Sequence, residues 1–381
     1  MENKTSSVQK SVMIIAGEAS GDLHGARLVK AMRKKNPQLS FFGIGGPLLR
    51  DAGVETFVDA SELAVLGITE AFSRIRRILR AMSEAKNMLK KRRPDLLILI
   101  DLPDFNLRVA ACAKRLGIKV LYYISPQIWA WRQGRVRIIQ ERTDHMAVIL
   151  PFEESFYRKH RVKATFVGHP LLDRETAVMY TEKDFTAPPV IGILPGSREG
   201  EIRKLLPVML ESARILRTMI PEIRFVLSHP PSVSKDFLEE ILGLYQKDLP
   251  LEMETGTEPV FEKCHFAIAV SGTVTLETAL AGIPLVIIYK VSPVSYWLGR
   301  LLIKVPFISL VNLISGRQLV PELIQDDANP KNIAKTVLGM LKDIPGLIQL
   351  RQNLLFIRKR MGGSGASERT ADIALNMLNH K

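Results

Sequence analysis

Hydrophobic and polar positions fall along this chain in blocks. Short apolar runs at 11–16 (SVMIIA), 40–44, 95–100 (DLLILI), 119–124 and 145–150 are each followed by a segment of turn residues and then, in most cases, apolar positions at helical spacing. A continuous apolar run is what a strand covered on both faces needs, which is the condition of a parallel sheet wrapped by helices. After 180–189 (YTEKDFTAPP), polar and Pro-terminated, the alternation restarts with a strand at 190–194, a helix from about Ile202, and a strand at 223–228. There is no close sequence repeat, but the architecture repeats. The pattern predicts an α/β protein of two Rossmann-like domains in tandem. The expected boundaries are an N-terminal domain at 1–176, a linker at 177–189, a C-terminal domain at 190–349, and a helical segment at 350–381 placed to brace the first domain.

One region departs from this rhythm. Between 60 and 93, Phe72, Ile75, Ile78, Leu79, Met82 and Leu89 share one arc of a helix, while Arg74, Arg76, Arg77 and Arg80 share another. Just before it, 64–67 (AVLG, with Leu66) is apolar where a loop is expected. Two readings fit: a helix packing its stripe on the sheet, or an interfacial helix whose Leu66, Phe72, Ile75 and Leu79 enter a membrane beside Arg76 and Arg80. Around 296–304, Tyr296, Trp297 and Leu301 are similarly either core or a second apolar surface.

The ends of the strands carry the candidate chemistry. Strand 95–100 delivers Asp101, within DLPDFN, to the sheet edge where ligands of open α/β folds bind; there it serves as a general base or as a cap. The first strand leads into GEASGD, bearing Glu18, whose glycine spacing departs from GxGxxG. In SPQIWAWR, at 125–132, Trp131 and Arg132 suit sugar stacking and phosphate contact, or core packing. The PGSR loop (Gly196, Ser197, Arg198) offers backbone N–H groups and a guanidinium to a diphosphate. At 270–286, Ser271, Gly272 and Thr273 form a small-residue turn into a helix carrying Glu277, an arrangement that suits phosphate at the helix N-terminus and an acid on sugar hydroxyls. Asn312, Glu322 and Gln325 are, by residue type alone, loop or cap residues.

Composition narrows this further. At 381 residues the chain is long for one core, and 46% hydrophobic content suffices for two. Its 53 Lys and Arg against 39 Asp and Glu give a net charge of +14, which favours an anionic partner: nucleic acid, a phosphorylated substrate or a membrane surface. Two cysteines and seven histidines show neither disulfide nor metal-ligand spacing, so reduced thiols, a cytosolic setting and no metal are expected. No apolar run approaches the ~18 residues of a spanning helix, and the apolar run at 12–16 is too short for a signal-peptide core. Aromatic-basic signatures of RNA binding are absent. Without a DxD motif, a nucleotide-diphosphate leaving group would be met by backbone dipoles and arginine rather than by a metal.

In order along the chain, GEASGD, DLPDFN, SPQIWAWR, LPFE, VGHP, LPGSR, SGTVTLE, SLVNLISGR and VPELIQ together resemble the lipid-A-disaccharide synthase family. The resemblance implies a GT-B fold, with the two domains facing across a cleft and a C-terminal helix crossing back to the first. It implies an inverting, metal-independent and cofactor-free transferase joining UDP-2,3-diacylglucosamine to 2,3-diacylglucosamine 1-phosphate through a β-1,6 link. It further implies peripheral binding to the cytoplasmic face of the inner membrane and a homodimer. Carried over by position, Asp101 is the base; Glu18, Asp104, Trp131 and Arg132 serve the acceptor; Gly196, Ser197, Arg198, Ser271, Gly272, Thr273, Glu277, Asn312, Glu322 and Gln325 serve the UDP-sugar. The chain has SLVN at 309–312 where other members often have SLPN, which retains Asn312.

Overall fold

A computed structural model describes residues 9–60, 71–173, 183–245, 248–292 and 305–379. Leu66 and the 296–304 surface lie outside the described residues, as do the side chain of Phe72 and positions 177–182 of the expected linker. The chain divides into two compact units: 1–174 with 361–381, and 175–360.

The first unit is built on a parallel seven-stranded sheet in the order β3-β2-β1-β4-β5-β6-β7. Its strands are β1 (Ser11–Ala16), β2 (Ser40–Gly45), β3 (Glu55–Asp59), β4 (Leu96–Ile100), β5 (Lys119–Tyr123), β6 (His145–Val148) and β7 (Ala164–Phe166). All five residues of β4 are fully buried, as the DLLILI run requires of a strand covered on both faces. Successive residues serve opposite faces. Met13, Ile15, Leu97, Leu99, Val120 and Tyr122 join one core cluster with Ala81, Met82, Ala85 and Leu89 of the helix Ala71–Arg92. Val12, Ile14, Leu96, Ile98, Leu121 and Tyr123 join another with Leu28 and Val29 of Ala19–Lys35 and Ala371, Ala374 and Leu378 of Ala366–Asn379.

The last helix therefore belongs to the first unit, but the preceding one, Ile344–Arg360, belongs to the second, where Arg351 donates to the Gly282 carbonyl at 2.9 Å. The return to the first unit begins at Met361. Asp173 secures it: one carboxylate oxygen accepts from the N–H groups of Gly365 (2.8 Å) and Ala366 (3.0 Å), the other from the N–H and hydroxyl of Ser367 (both 2.9 Å). A capping carboxylate supplied from elsewhere in the sequence thus satisfies donors at this helix start.

The second unit carries a parallel six-stranded sheet in the order β10-β9-β8-β11-β12-β13. Its strands are β8 (Val190–Leu194), β9 (Arg224–His229), β10 (Leu251–Thr255), β11 (Phe266–Val270), β12 (Leu285–Tyr289) and β13 (Glu322–Ile324). Its core draws on Ile202, Leu206, Met209 and Leu210 of the helix Glu199–Met219.

The apolar arc of Ala71–Arg92 is not buried along its length. Met82 and Leu89 lie in the core, whereas Ile75 and Leu79 are 55% and 53% exposed, with Arg76 and Arg80 exposed beside them. Positions 75, 79, 82 and 89 share one face at 100° per residue, so the stripe is continuous and only its C-terminal part is covered.

Candidate active site

In each sheet the chain leaves its first strand toward one side, then returns to lay the following strands on the other. The loops after the two central strands thus diverge and open a crevice at their carboxyl ends. In the first unit these strands are β1 and β4, with Ala16 beside Ile100, so the GEASGD and DLP turns start side by side. In the second they are β8 and β11, with Leu194 beside Ala269, so PGSR and SGT start side by side. Both pairs of candidate motifs occupy a switch point.

At the first switch point, Asp101 is largely buried at the end of β4. Burial, and secondarily the negative charge of Glu18, push its carboxyl up to about 6. Glu18 is exposed at the start of helix Ala19–Lys35. Asp101 (φ 54°) and Leu102 (φ 42°) are both left-handed, and neither is glycine. Such residues cost on the order of 1–3 kcal/mol each and persist only where the surroundings enforce them. The same acidic run bears Asp22, but its role is structural: its carboxylate accepts from the N–H groups of Gly46 (2.7 Å), Leu48 (2.9 Å) and Leu49 (3.2 Å).

Asp104, on the first turn of helix Pro103–Arg115, pairs with Arg135 at 2.6 Å and approaches Arg132 at 4.0 Å. Arg132 stacks over the Trp131 ring, 4.0 Å from its centroid, and Trp131 is 42% exposed. The two tryptophans of SPQIWAWR therefore part company. Trp129 is buried and donates its indole N–H to Glu153 at 3.0 Å, so it is a core residue. Glu153, from LPFE, also accepts from the N–H groups of Ile149 (3.1 Å) and Leu150 (2.9 Å), and burial pushes its carboxyl up to about 7. No role for Glu153 follows from residue type alone; an acid three residues beyond Leu150, the end of the apolar run 145–150, is the pattern of a capped turn.

At the second switch point, Gly196 takes φ 93°, a left-handed value that favours glycine, and Arg198 stands 81% exposed with Glu201 at 3.1 Å. Ser197 accepts from the Ser232 hydroxyl at 3.1 Å through its carbonyl. Helix Thr273–Leu280 starts at Gly272 without a side-chain cap; Thr275 N–H turns back to the Gly272 carbonyl at 3.2 Å, and the positive end of the helix lies beside Ser271 and Thr273. Glu277 lies one turn in and accepts from the Thr257 hydroxyl at 3.3 Å.

Asn312, Glu322 and Gln325 are engaged internally. The Asn312 amide oxygen accepts from Leu319 and Val320 N–H groups (2.7 and 2.9 Å), and its nitrogen donates to Val320 O and Glu322 (2.9 and 2.8 Å). Glu322 also accepts from the N–H groups of Ile308 and Ser309 and from the Ser309 hydroxyl, at 2.9, 3.0 and 2.7 Å. Gln325 pairs both amide atoms with the backbone of Val291. These three residues frame the segment around 291 and 308–325. Among the described residues no group of three or more His, Cys, Asp or Glu side chains is placed to hold a metal ion.

A family model described as lipid-A-disaccharide synthetase matches residues 12–353. The chain belongs to the lipid-A-disaccharide synthase family. The synthase of Geobacter sulfurreducens is 48% identical over 380 residues, covering 98% of this chain and 99% of that one. The Geobacter metallireducens synthase is 47% identical, covering 98% of each. Among solved structures, the fold resembles UDP-GlcNAc 2-epimerase from Neisseria meningitidis bound to UDP-GlcNAc (TM-score 0.64, 13% identity, covering 96% of this chain and 100% of that one). It also resembles MurG of Acinetobacter baumannii (TM-score 0.61, 16% identity, 96% and 99%). The chain thus has the two-unit α/β architecture of GT-B proteins and is a glycosyltransferase of lipid A biosynthesis.

Proposed function

We propose that this synthase joins UDP-2,3-diacylglucosamine to 2,3-diacylglucosamine 1-phosphate, forming a β-1,6 bond and releasing UDP. The observation that carries this reading is the placement of Asp101, a partly buried carboxyl raised to about 6, at a switch point of one unit, and of PGSR and SGT at that of the other. Asp101 takes the proton of the acceptor 6-hydroxyl, whose oxygen attacks the anomeric carbon of the donor; the bond from that carbon to the UDP oxygen breaks, with inversion. The leaving diphosphate is met by Arg198, by the Gly196–Ser197 backbone and by the first-turn N–H groups beyond Ser271, Gly272 and Thr273, and Glu277 takes the ribose hydroxyls. Asn312, Glu322 and Gln325 act as the frame of the donor loop. Glu18, Asp104, Trp131 and Arg132 line the acceptor side, and an anionic acceptor can draw Arg132 away from Asp104, which keeps its closer partner Arg135.

Acyl chains on both substrates require access to lipid. The exposed Ile75 and Leu79 beside Arg76 and Arg80 support peripheral attachment to the anionic face of the inner membrane, and among the described residues no helix is long and apolar enough to cross one. The deciding experiment is mass spectrometry of products from the two proposed substrates. A disaccharide 1-phosphate with stoichiometric UDP is expected; UDP-sugar consumption without a disaccharide would sink the assignment.

A further inference from the structure

The turn at 101–102 has no reason of its own to hold its shape. Neither residue is glycine, and Leu102 precedes Pro103, which disfavours helical backbone in the residue before it. Two buried side chains supply the reason. Asn106 donates from its amide nitrogen to the carbonyls of Ile100 at 3.0 Å and Asp101 at 2.5 Å. Tyr122, one strand away on β5, donates its hydroxyl to the same Asp101 carbonyl at 2.5 Å. Both residues are fully buried. Rotating the peptide after Asp101 into an ordinary conformation would take its carbonyl away and strand two buried donors, a heavier loss than the strain relieved.

Asn106 is also expensive to keep. Its amide oxygen is buried and has no hydrogen-bond partner among the described residues. Exchanging the two amide atoms would set oxygen against two carbonyl oxygens, so the present orientation is the only one that bonds the turn. A buried polar atom left without a partner asks for an explanation beyond packing, since an apolar residue would fill the space at less cost.

We propose that Asn106 and Tyr122 are positioning residues for the reaction: they clamp the Asp101 carbonyl and so fix the left-handed turn that presents the Asp101 carboxylate to the acceptor hydroxyl. This rests on the reading of Asp101 as base. It makes DLPDFN a single device in which the first residue reacts and the last, on the following helix turn, holds it.

The test is a kinetic cycle on full-length protein with Asn106→Ala, Tyr122→Phe and Asp101→Asn, singly and combined, with folding checked by circular dichroism and thermal melting. Asn106→Ala is expected to lower kcat about 10²-fold, the scale of loss when a reacting group is misplaced by about 1 Å, with KM for both substrates unchanged. Tyr122→Phe, which keeps the buried ring, is expected to lower the same parameter by a smaller factor and serves as the test if the alanine variant does not fold. In the Asp101→Asn background neither change should reduce the residual turnover further, because the group they position is gone. Full kcat in Tyr122→Phe and folded Asn106→Ala, or the same fractional loss with and without Asp101, overturns the positioning role while an inactive Asp101→Asn keeps the base. Near-normal turnover in Asp101→Asn alone overturns both.

Discussion

If Asp101 is the base, the pH dependence of transfer is set by two causes, burial and Glu18, of which burial is the larger. Only the carboxylate takes a proton, so log(kcat/KM) should rise with unit slope as pH increases and level off above about 6, the value to which the carboxyl is raised. At pH 5 about one-tenth of the enzyme would carry the ionised base, giving about a tenfold loss against the plateau. Glu18→Gln removes the negative charge and leaves the burial, so the break should move to lower pH by the smaller share of the displacement from 3.8. The assay is initial-rate UDP release from pH 4.5 to 8.5 at substrate concentrations well below KM. The apparent pKa, not the plateau height, is the readout, because Glu18 is also among the residues proposed to line the acceptor side. A wild-type profile flat to pH 5, or a break at the same pH in Glu18→Gln, would refute the reasoning.

The same displacement makes Asp101 a stability liability. Its folded-state proton affinity is raised, so ionising it in the fold costs on the order of 3 kcal/mol, a cost absent below about pH 4 and complete above about pH 6. Asp101→Asn should therefore raise the melting temperature at pH 7.5 and not at pH 4; an equal shift at both would point to packing instead. Glu153→Ala leaves the donors of Trp129, Ile149 and Leu150 unpaired, and at about 1–3 kcal/mol each should destabilise the fold by at least about 3 kcal/mol in urea titration. A loss below about 1 kcal/mol would show that the turn does not need this carboxylate. Ile75→Ser with Leu79→Ser, both at exposed positions, should leave thermal stability unchanged and lower binding to anionic vesicles at least about tenfold, given about 1.5–3 kcal/mol per buried aliphatic side chain. Unchanged vesicle binding would remove this face as the membrane contact.

The central strands were legible because burial on both faces leaves only apolar residues, as in β4 and β8. The edge strands β3, β10 and β13 were not: LEMET of β10 has no fully buried residue, and its mixed polarity resembles a loop. Candidate residues were legible where a turn follows a central strand, because the switch point is a consequence of strand order. Function and frame were harder to separate. Asn312 and Glu322 are by residue type loop or cap residues, and their polar atoms meet backbone groups seven and fourteen residues away, a spacing that no helix or strand period encodes. Trp129 and Trp131 differ for the same reason: one finds Glu153 across the fold, the other does not.

The return of helix Ala366–Asn379 to the first unit has a consequence for biosynthesis. The second unit is a single uninterrupted stretch, 175–360, whereas the first lacks one covering helix until the chain beyond 361 has been made. On the ribosome the unit begun first is thus finished last, and in the interval the sheet face bearing Val12, Ile98 and Tyr123 is missing the cover of Ala371, Ala374 and Leu378. Domains commonly fold in order of synthesis; here that order is inverted, and the turn at 101–102 cannot rest on a completed core until translation has passed the second unit. A nascent chain stalled before 361 would display an apolar sheet face to chaperones and proteases while already holding a finished second unit.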